Sequence, residues 1–213
     1  PLRSSAASDV YKRQINTTHL VTHFGLTTEK IYENKELYSS HLKRQQECYE
    51  EMGEYAKEHN VTLAIENLYP FLPDSYAPLP SEIAEQLNDI DHPNVKCCLD
   101  ISHAYLNCTY RNAHFIDEIK QMAPLSEHIH MHDSHGMLLK SMWTWNKTEA
   151  GAYGKGDLHL PLGWGDIPFE KIFTVMKFPE KLCLNFEVLD RYQKYFNENI
   201  KEARRLLEFQ QQK

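Results

Sequence analysis

Strand-length apolar runs without polar alternation, each followed by a helix-length segment, predict an α/β fold in which helices cover a parallel sheet of the (β/α)8 barrel type. Four of these runs end on a residue able to bind a metal: Leu63-Ala-Ile-Glu66, Cys97-Cys-Leu-Asp100, His128-Ile-His130 and Cys183-Leu-Asn-Phe-Glu187. A parallel barrel gathers the C-terminal ends of its strands at one mouth, so residues 34, 30 and 57 positions apart can converge there on one cation. No GxGxxG or phosphate-cradling loop follows any strand, which argues against an open doubly wound sheet.

In chain order, Thr18 to Phe24 is apolar and β-branched and stops at Gly25, which reads as a buried strand. One long helix is expected from about Lys30 to His59, with Leu37, Leu42, Tyr49, Met52 and Ala56 at helical spacing and Asn60 as its stop. Val61 to Glu66 is the next strand. Pro70, Pro73, Pro78 and Pro80 mark a loop, and Ser81 opens a short helix through Leu87. Strands then follow at Val95 to Asp100, Glu127 to Met131 and Leu182 to Glu187, with helices at Ala113 to Met122 and Phe169 to Met176. A final amphipathic helix runs from about Tyr192 to Gln211, burying Tyr195, Ile200, Ala203, Leu206 and Leu207. Five strands are visible where a closed barrel needs eight, so the fold expected is a (β/α)8 barrel truncated N-terminally to about its last five βα units. An incomplete barrel exposes a sheet edge, so poor solubility or edge-mediated association, such as a homo-oligomer, is expected.

At 213 residues and 41% hydrophobic content the chain suits one substantial core, read here as a single domain over 15–213. Residues 1–14 lack an initiator Met and any periodicity, read as a non-native tail and fall outside the fold argument. The net charge of −7 argues against broad affinity for nucleic acid. No run approaches a membrane span and none marks a secretory signal. Five cysteines without framework spacing fit a reducing, cytoplasmic location.

Glu66, Asp100, His130 and Glu187 form the strongest constellation, an oxygen and nitrogen donor set that suits Mn, Co, Mg, Zn or Fe. A strand-end acid taken singly most often caps a helix or pairs with lysine; four donors at equivalent strand ends favour a metal centre. Around them stand His23, His103 and the pair Asp157 and His159, as a second metal site or a hydrogen-bonding surround. His128, His130 and His132 share one strand face, so spacing alone does not single out His130; His132 is expected in the loop beyond, polar to substrate, and His135 solvated. The long connection 132–167 carries Trp143, Trp145, Tyr153 and Trp164, aromatic faces that stack equally on sugars and on bases, or on one another.

These motifs, Ala64-Ile-Glu66-Asn67, Cys98-Leu-Asp100-Ile-Ser-His103-Ala104, His128-Ile-His130-Met-His-Asp133, Asp157-Leu-His159-Leu-Pro-Leu-Gly163-Trp-Gly165-Asp-Ile167 and Asn185-Phe-Glu187, resemble the successive strand ends of the xylose isomerase-like TIM barrel superfamily. That superfamily holds sugar and sugar-phosphate isomerases and epimerases together with endonuclease IV. The resemblance covers about residues 17–210 and matches the fourth through eighth strands. It implies Glu66, Asp100, His130 and Glu187 as metal ligands, with Glu66 and Glu187 also the acid and base of an epimerase on a small sugar or sugar phosphate. His103 would contact substrate or metal. In the endonuclease branch, where nucleic acid is the partner, His23, His103, Asp157 and His159 would complete most of a three-zinc site. Leu158 stands where that branch has an arginine, and His132-Asp133-Ser134-His135 replaces its Asn-Asp pattern, which favours sugar chemistry. Trp164 replaces the acid of a Gly-Glu-Gly turn frequent in both branches.

Overall fold

The computed structural model describes residues 17–140 and 147–211. Five parallel strands form one sheet: β1 (His19–His23), β3 (Thr62–Glu66), β5 (Val95–Asp100), β6 (Ser126–Met131) and β7 (Cys183–Phe186). Strand order follows chain order without reversal, so right-handed crossovers lay the helices on one face, as in a barrel. A doubly wound sheet would reverse its order and cover both faces. β2 (Thr27–Thr28) and β4 (Ser75–Tyr76) form a small antiparallel pair beyond the ends of β1 and β3.

The sheet is strongly curled. The His19 and His128 rings lie 6.1 Å apart, although β1 and β6 are separated by β3 and β5 in the sheet. Three strand spacings in a flat sheet would hold them roughly 14 Å apart. The five strands therefore trace an arc of a barrel, with an inner and an outer face.

Period-2 alternation assigns those faces. Leu63, Ile65, Val95, Cys97, Leu99, Ile129 and Met131 point outward into the core formed with the helices. The inward set is polar: in cross-strand register, His23 pairs with Glu66, Glu66 with Cys98, Cys98 with His128 and His128 with Cys183. One step toward the strand ends, Asp100, His130 and Asn185 share a second row. A bulge between Cys97 and Cys98 skips Glu127 and keeps His128 and His130 facing inward.

The helices are α1 (Glu29–Glu33), α2 (Lys35–Glu58), α3 (Pro80–Ile90), α4 (Ile101–Arg111), α5 (Phe115–Met122), α6 (Lys147–Ala152), α7 (Phe169–Val175) and α8 (Phe196–Gln211). The single helix expected from Lys30 is two. Asn34 breaks it, donating its N–H to the Ile31 carbonyl and capping α2 through an Oδ1 that accepts from the Leu37 N–H at 3.1 Å. The buried stripe of α2 is Gln45, Tyr49, Gly53 and Ala56, while Leu37 and Met52 are exposed. Gly53 is required there: a Cβ would lie 2.7 Å from Val95 Cγ2 and 2.8 Å from His92 Nδ1. α4 and α6 lie where no helix was expected, and the 132–167 connection is further ordered by bridges from Asp133 to Leu160 and from Met137 to Lys155. The last helix begins later than expected: residues Asp190–Tyr195 form a 3-10 turn, and Asn199, Ala203 and Leu206 are buried beyond it. No helix among the described residues is long and apolar enough to cross a membrane. Residues 1–14, Trp143 and Trp145 lie outside the described residues.

Candidate metal centre

Asp100 ends β5 and begins α4, and its two carboxylate oxygens divide the work. Oδ1 caps the helix by accepting from the His103 N–H at 2.8 Å, which turns His103 back over the strand ends. Oδ2 faces the histidines, accepting from His132 Nε2 at 3.0 Å. Asn67 fixes Asp100 from β3: its Nδ2 donates to the Asp100 carbonyl and its Oδ1 accepts from the Asp100 N–H, both at 2.9 Å. This side chain replaces two ladder bonds where the strands diverge.

His130 Nδ1 sits at the focus. It lies 3.3 Å from Glu66 Oε1, 3.5 Å from Asp100 Oδ2 and 3.4 Å from Glu187 Oε1. It is buried, yet in hydrogen-bonding geometry with none of them. Donor separations of about 3.0–3.4 Å are what metal–ligand bonds near 2.1 Å produce between adjacent ligands. Glu66, Asp100 and His130 can each offer one atom with all three within 4.8 Å of one another. An orphaned imidazole nitrogen among three carboxylates fits a divalent cation. Glu66 enters from β3 and Glu187 from beyond β7, on opposite sides of the Asp100 and His130 pair.

A second layer lies beside this group. His103 Nδ1 is 3.2 Å from Glu66 Oε1 and bonds the Asn67 carbonyl at 3.1 Å, while its Nε2 bonds Asp157 Oδ2 at 3.2 Å. Asp157 also meets His159 Nε2 at 2.7 Å and lies 3.6 Å from His132 Nδ1. The His132 and His159 rings stack at 4.1 Å, and His159 Nδ1 bonds the Glu187 carbonyl, tying this layer to the Glu187 strand end. Tyr69 covers His103 at 4.9 Å between ring centroids.

Charge follows from this packing. Burial pushes the Glu66 carboxyl up, but the His103 and His130 imidazoles beside it, at 3.2 and 3.3 Å, outweigh that and bring it down to about 2. Burial also works against ionised Asp100, and the neighbouring His103 and His132 overcome it, holding it well below the usual carboxylate range. Asp157 is lowered in the same way, its burial outweighed by His132, His103 and His159. His130 and His103 are raised despite their burial, by Asp100 first in both cases, then by Cys98 and Glu66 at His130 and by Asp157 and Glu66 at His103. Without a metal, protonated imidazoles balance the buried carboxylates.

The remaining residues fall on the margins. His23 Nε2 is 3.6 Å from Glu66 Oε2, with a side chain 68% exposed. His132 is fully buried behind Asp100, closed to solvent. Trp164 packs edge-on against Tyr192 and Tyr195 at 5.4 and 4.7 Å, and is 46% exposed. The Gly163-Trp-Gly165 turn holding it is built by Asp133, which sequence reasoning passed over. Asp133 Oδ2 accepts from the Gly163 and Gly165 N–H groups at 2.9 Å, and Oδ1 from Ser134 and Ile167. A Cβ on Gly165 would meet the Ser134 carbonyl at 2.2 Å. Asn67 and Asp133 each close one of the strand-end motifs named above, the one signal in the sequence that could have found them.

Among solved structures, the fold is similar to a D-tagatose 3-epimerase-like protein, at 18% identity and a TM-score of 0.65 over 96% of this chain and 67% of that one. It is similar also to the TTHB071 protein from Thermus thermophilus soaked with zinc chloride (17%, TM-score 0.62, 93% of this chain and 65% of that one). A third is the probable 3-DHS dehydratase AsbF involved in petrobactin synthesis from Bacillus anthracis (17%, TM-score 0.62, 95% and 69%). The chain thus spans about two thirds of the length of these relatives. No curated protein matches. Residues 10–212 match the xylose isomerase-like TIM barrel family, and the chain belongs to it.

Proposed function

We propose that this chain carries the metal-binding and proton-transferring part of a divalent-metal-dependent sugar or sugar-phosphate isomerase or epimerase. The observation that carries this reading is the placement of Glu66 and Glu187 on either side of His130 Nδ1, at 3.3 and 3.4 Å, with Asp100 completing the donor set. The similarity to a D-tagatose 3-epimerase-like protein supports the substrate class.

A divalent cation held by Glu66, Asp100, His130 and Glu187 would supply Lewis acidity toward adjacent substrate oxygens. The residues themselves supply the rest. One of Glu66 and Glu187 takes the proton from the carbon beside the carbonyl, and the other returns a proton from the opposite side. The carboxyl of Glu66, held at about 2, is ionised. His103 orients Glu66, and Asp157 orients His103 in turn. Glu187, its side chain 32% exposed, is the more accessible of the pair.

Glu187→Gln and Glu66→Gln are each expected to lower exchange of a substrate C–H proton with deuterated water by about 10²–10⁴-fold across a ketose and aldose panel. No exchange in the metal-loaded protein, or unchanged exchange in both variants, would contradict the reading.

A second reading has one observation in its favour: His132, Asp157 and His159, and likewise Asp100, His103 and His132, bring donor atoms within 4.8 Å of one another, as a multinuclear zinc phosphodiesterase acting at abasic DNA would need. Two or three bound zinc ions with incision of an abasic duplex would favour it; one ion without incision would remove it.

A further inference from the structure

Beneath the carboxylate centre, the inner face of the arc carries a second group of donors of different chemistry. Cys98, His128 and His130 can each offer one atom with all three within 4.8 Å of one another. Cys98 and His128 are direct register partners on β5 and β6, and alternation turns both toward the barrel interior. This part of a barrel is ordinarily filled by layers of branched apolar side chains. Cys97, one residue earlier, faces the apolar core with Leu99 and has the ordinary role of a buried thiol; Cys98 is equally buried but faces imidazoles.

His128 is the anomaly. Both of its ring nitrogens are buried and neither has a hydrogen-bond partner among the described residues. The rings nearest it are His19 at 6.1 Å and His130 at 5.3 Å, and its register neighbours on the inner row are Cys98 and Cys183. Leaving such a group unpaired is costly, and a bound cation removes that cost. A thiolate with two imidazoles is a soft donor set, suited to zinc, cadmium or copper(I) and poorly suited to magnesium or manganese.

We propose that Cys98, His128 and His130 form a site for a thiophilic cation on the floor of the half-barrel, chemically distinct from the carboxylate centre above it and coupled to it through the shared His130. On binding, the Cys98 thiol proton leaves to solvent and the thiolate bonds the metal, with no change of oxidation state.

The test is a cadmium titration of the Cys48→Ser/Cys183→Ser chain, which lacks the two exposed thiols, followed by the near-ultraviolet thiolate-to-cadmium charge-transfer band. The band is expected to saturate near one equivalent, to vanish with Cys98→Ser, and to need at least tenfold more cadmium with His128→Gln. Should Cys98→Ser fail to fold, His128→Gln, at a half-buried position, decides alone. Glu187→Gln, which touches only the carboxylate centre, should keep the band while weakening manganese binding, so failure of the floor site and failure of the proposed function are separable. No band in the parent, an unchanged band in Cys98→Ser or His128→Gln, or loss of the band in Glu187→Gln would overturn the proposal.

Discussion

The two faces of the sheet are made from alternate residues of the same strands and follow opposite chemistry. Outward, Leu63, Ile65, Leu99, Ile129 and Met131 are sealed against the helices with 0–1% exposure. Inward, the same strands present Glu66, Cys98, Asp100, His128 and His130. The outer face accounts for the stability of the arc, through buried apolar area. The inner face concentrates charge and unpaired nitrogen that would be costly without mutual neutralisation or a cation. Strand alternation thus lets one five-residue segment serve both ends, with Ile65 holding the fold and Glu66 facing the chemistry.

That contrast can be broken most severely on the outer side. Leu99→Ala should cost about 3–5 kcal/mol by chemical denaturation, because its site is enclosed and cannot collapse. A smaller inner-face change, His128→Gln, should cost less than about 1 kcal/mol, since the ring has no hydrogen bond among the described residues to lose. Equal losses would show that the inner face is as tightly packed as the outer.

Asn67→Ala tests the joint between the faces. It removes two buried hydrogen bonds to the Asp100 backbone, and a loss of about 2 kcal/mol is expected together with weaker metal binding, since Asp100 then keeps only its helix cap and its bond to His132. Loss of stability with unchanged metal affinity would confine Asn67 to the fold. The smallest effect is expected at the rim: Trp164→Ala should change stability by about 1 kcal/mol or less, its ring being half exposed, and should leave metal binding unchanged.

The strands were legible in the sequence because each is a short run with an apolar or β-branched stretch between turn signals, and their observed ends agree with the expected ones to within a residue or two. The expected lack of polar alternation did not hold, since β1 (HLVTH) and β6 (SEHIHM) alternate. α4 was not legible. Asp100 and Asn112 do cap it, the latter with a left-handed φ of 54°, but Asn107, Thr109 and Asn112 dilute its helical pattern and its residues are buried on more than one side. The buried stripe of α2 is legible in part: Tyr49 and Ala56 are buried as expected, while Gln45 and Gly53, which complete the stripe, are not hydrophobic by type. Among the candidate site residues, the strand-end rule alone brought together Glu66, Asp100, His130 and Glu187. It could not find Asn67 or Asp133, whose roles depend on backbone groups 33 and 30 or more residues away. Nor could it separate His128 from His132, which share a strand parity but differ completely in their partners, His132 bonding Asp100 and His128 bonding none of the described residues.

The most direct measurement is manganese or cobalt bound per chain, by elemental analysis after equilibrium dialysis, in the parent protein and in His130→Ala. About one equivalent in the parent, lost in His130→Ala while the variant still unfolds cooperatively, is the expected result. No bound ion in the parent, or the same ion content in both proteins, would contradict a metal centre built on His130.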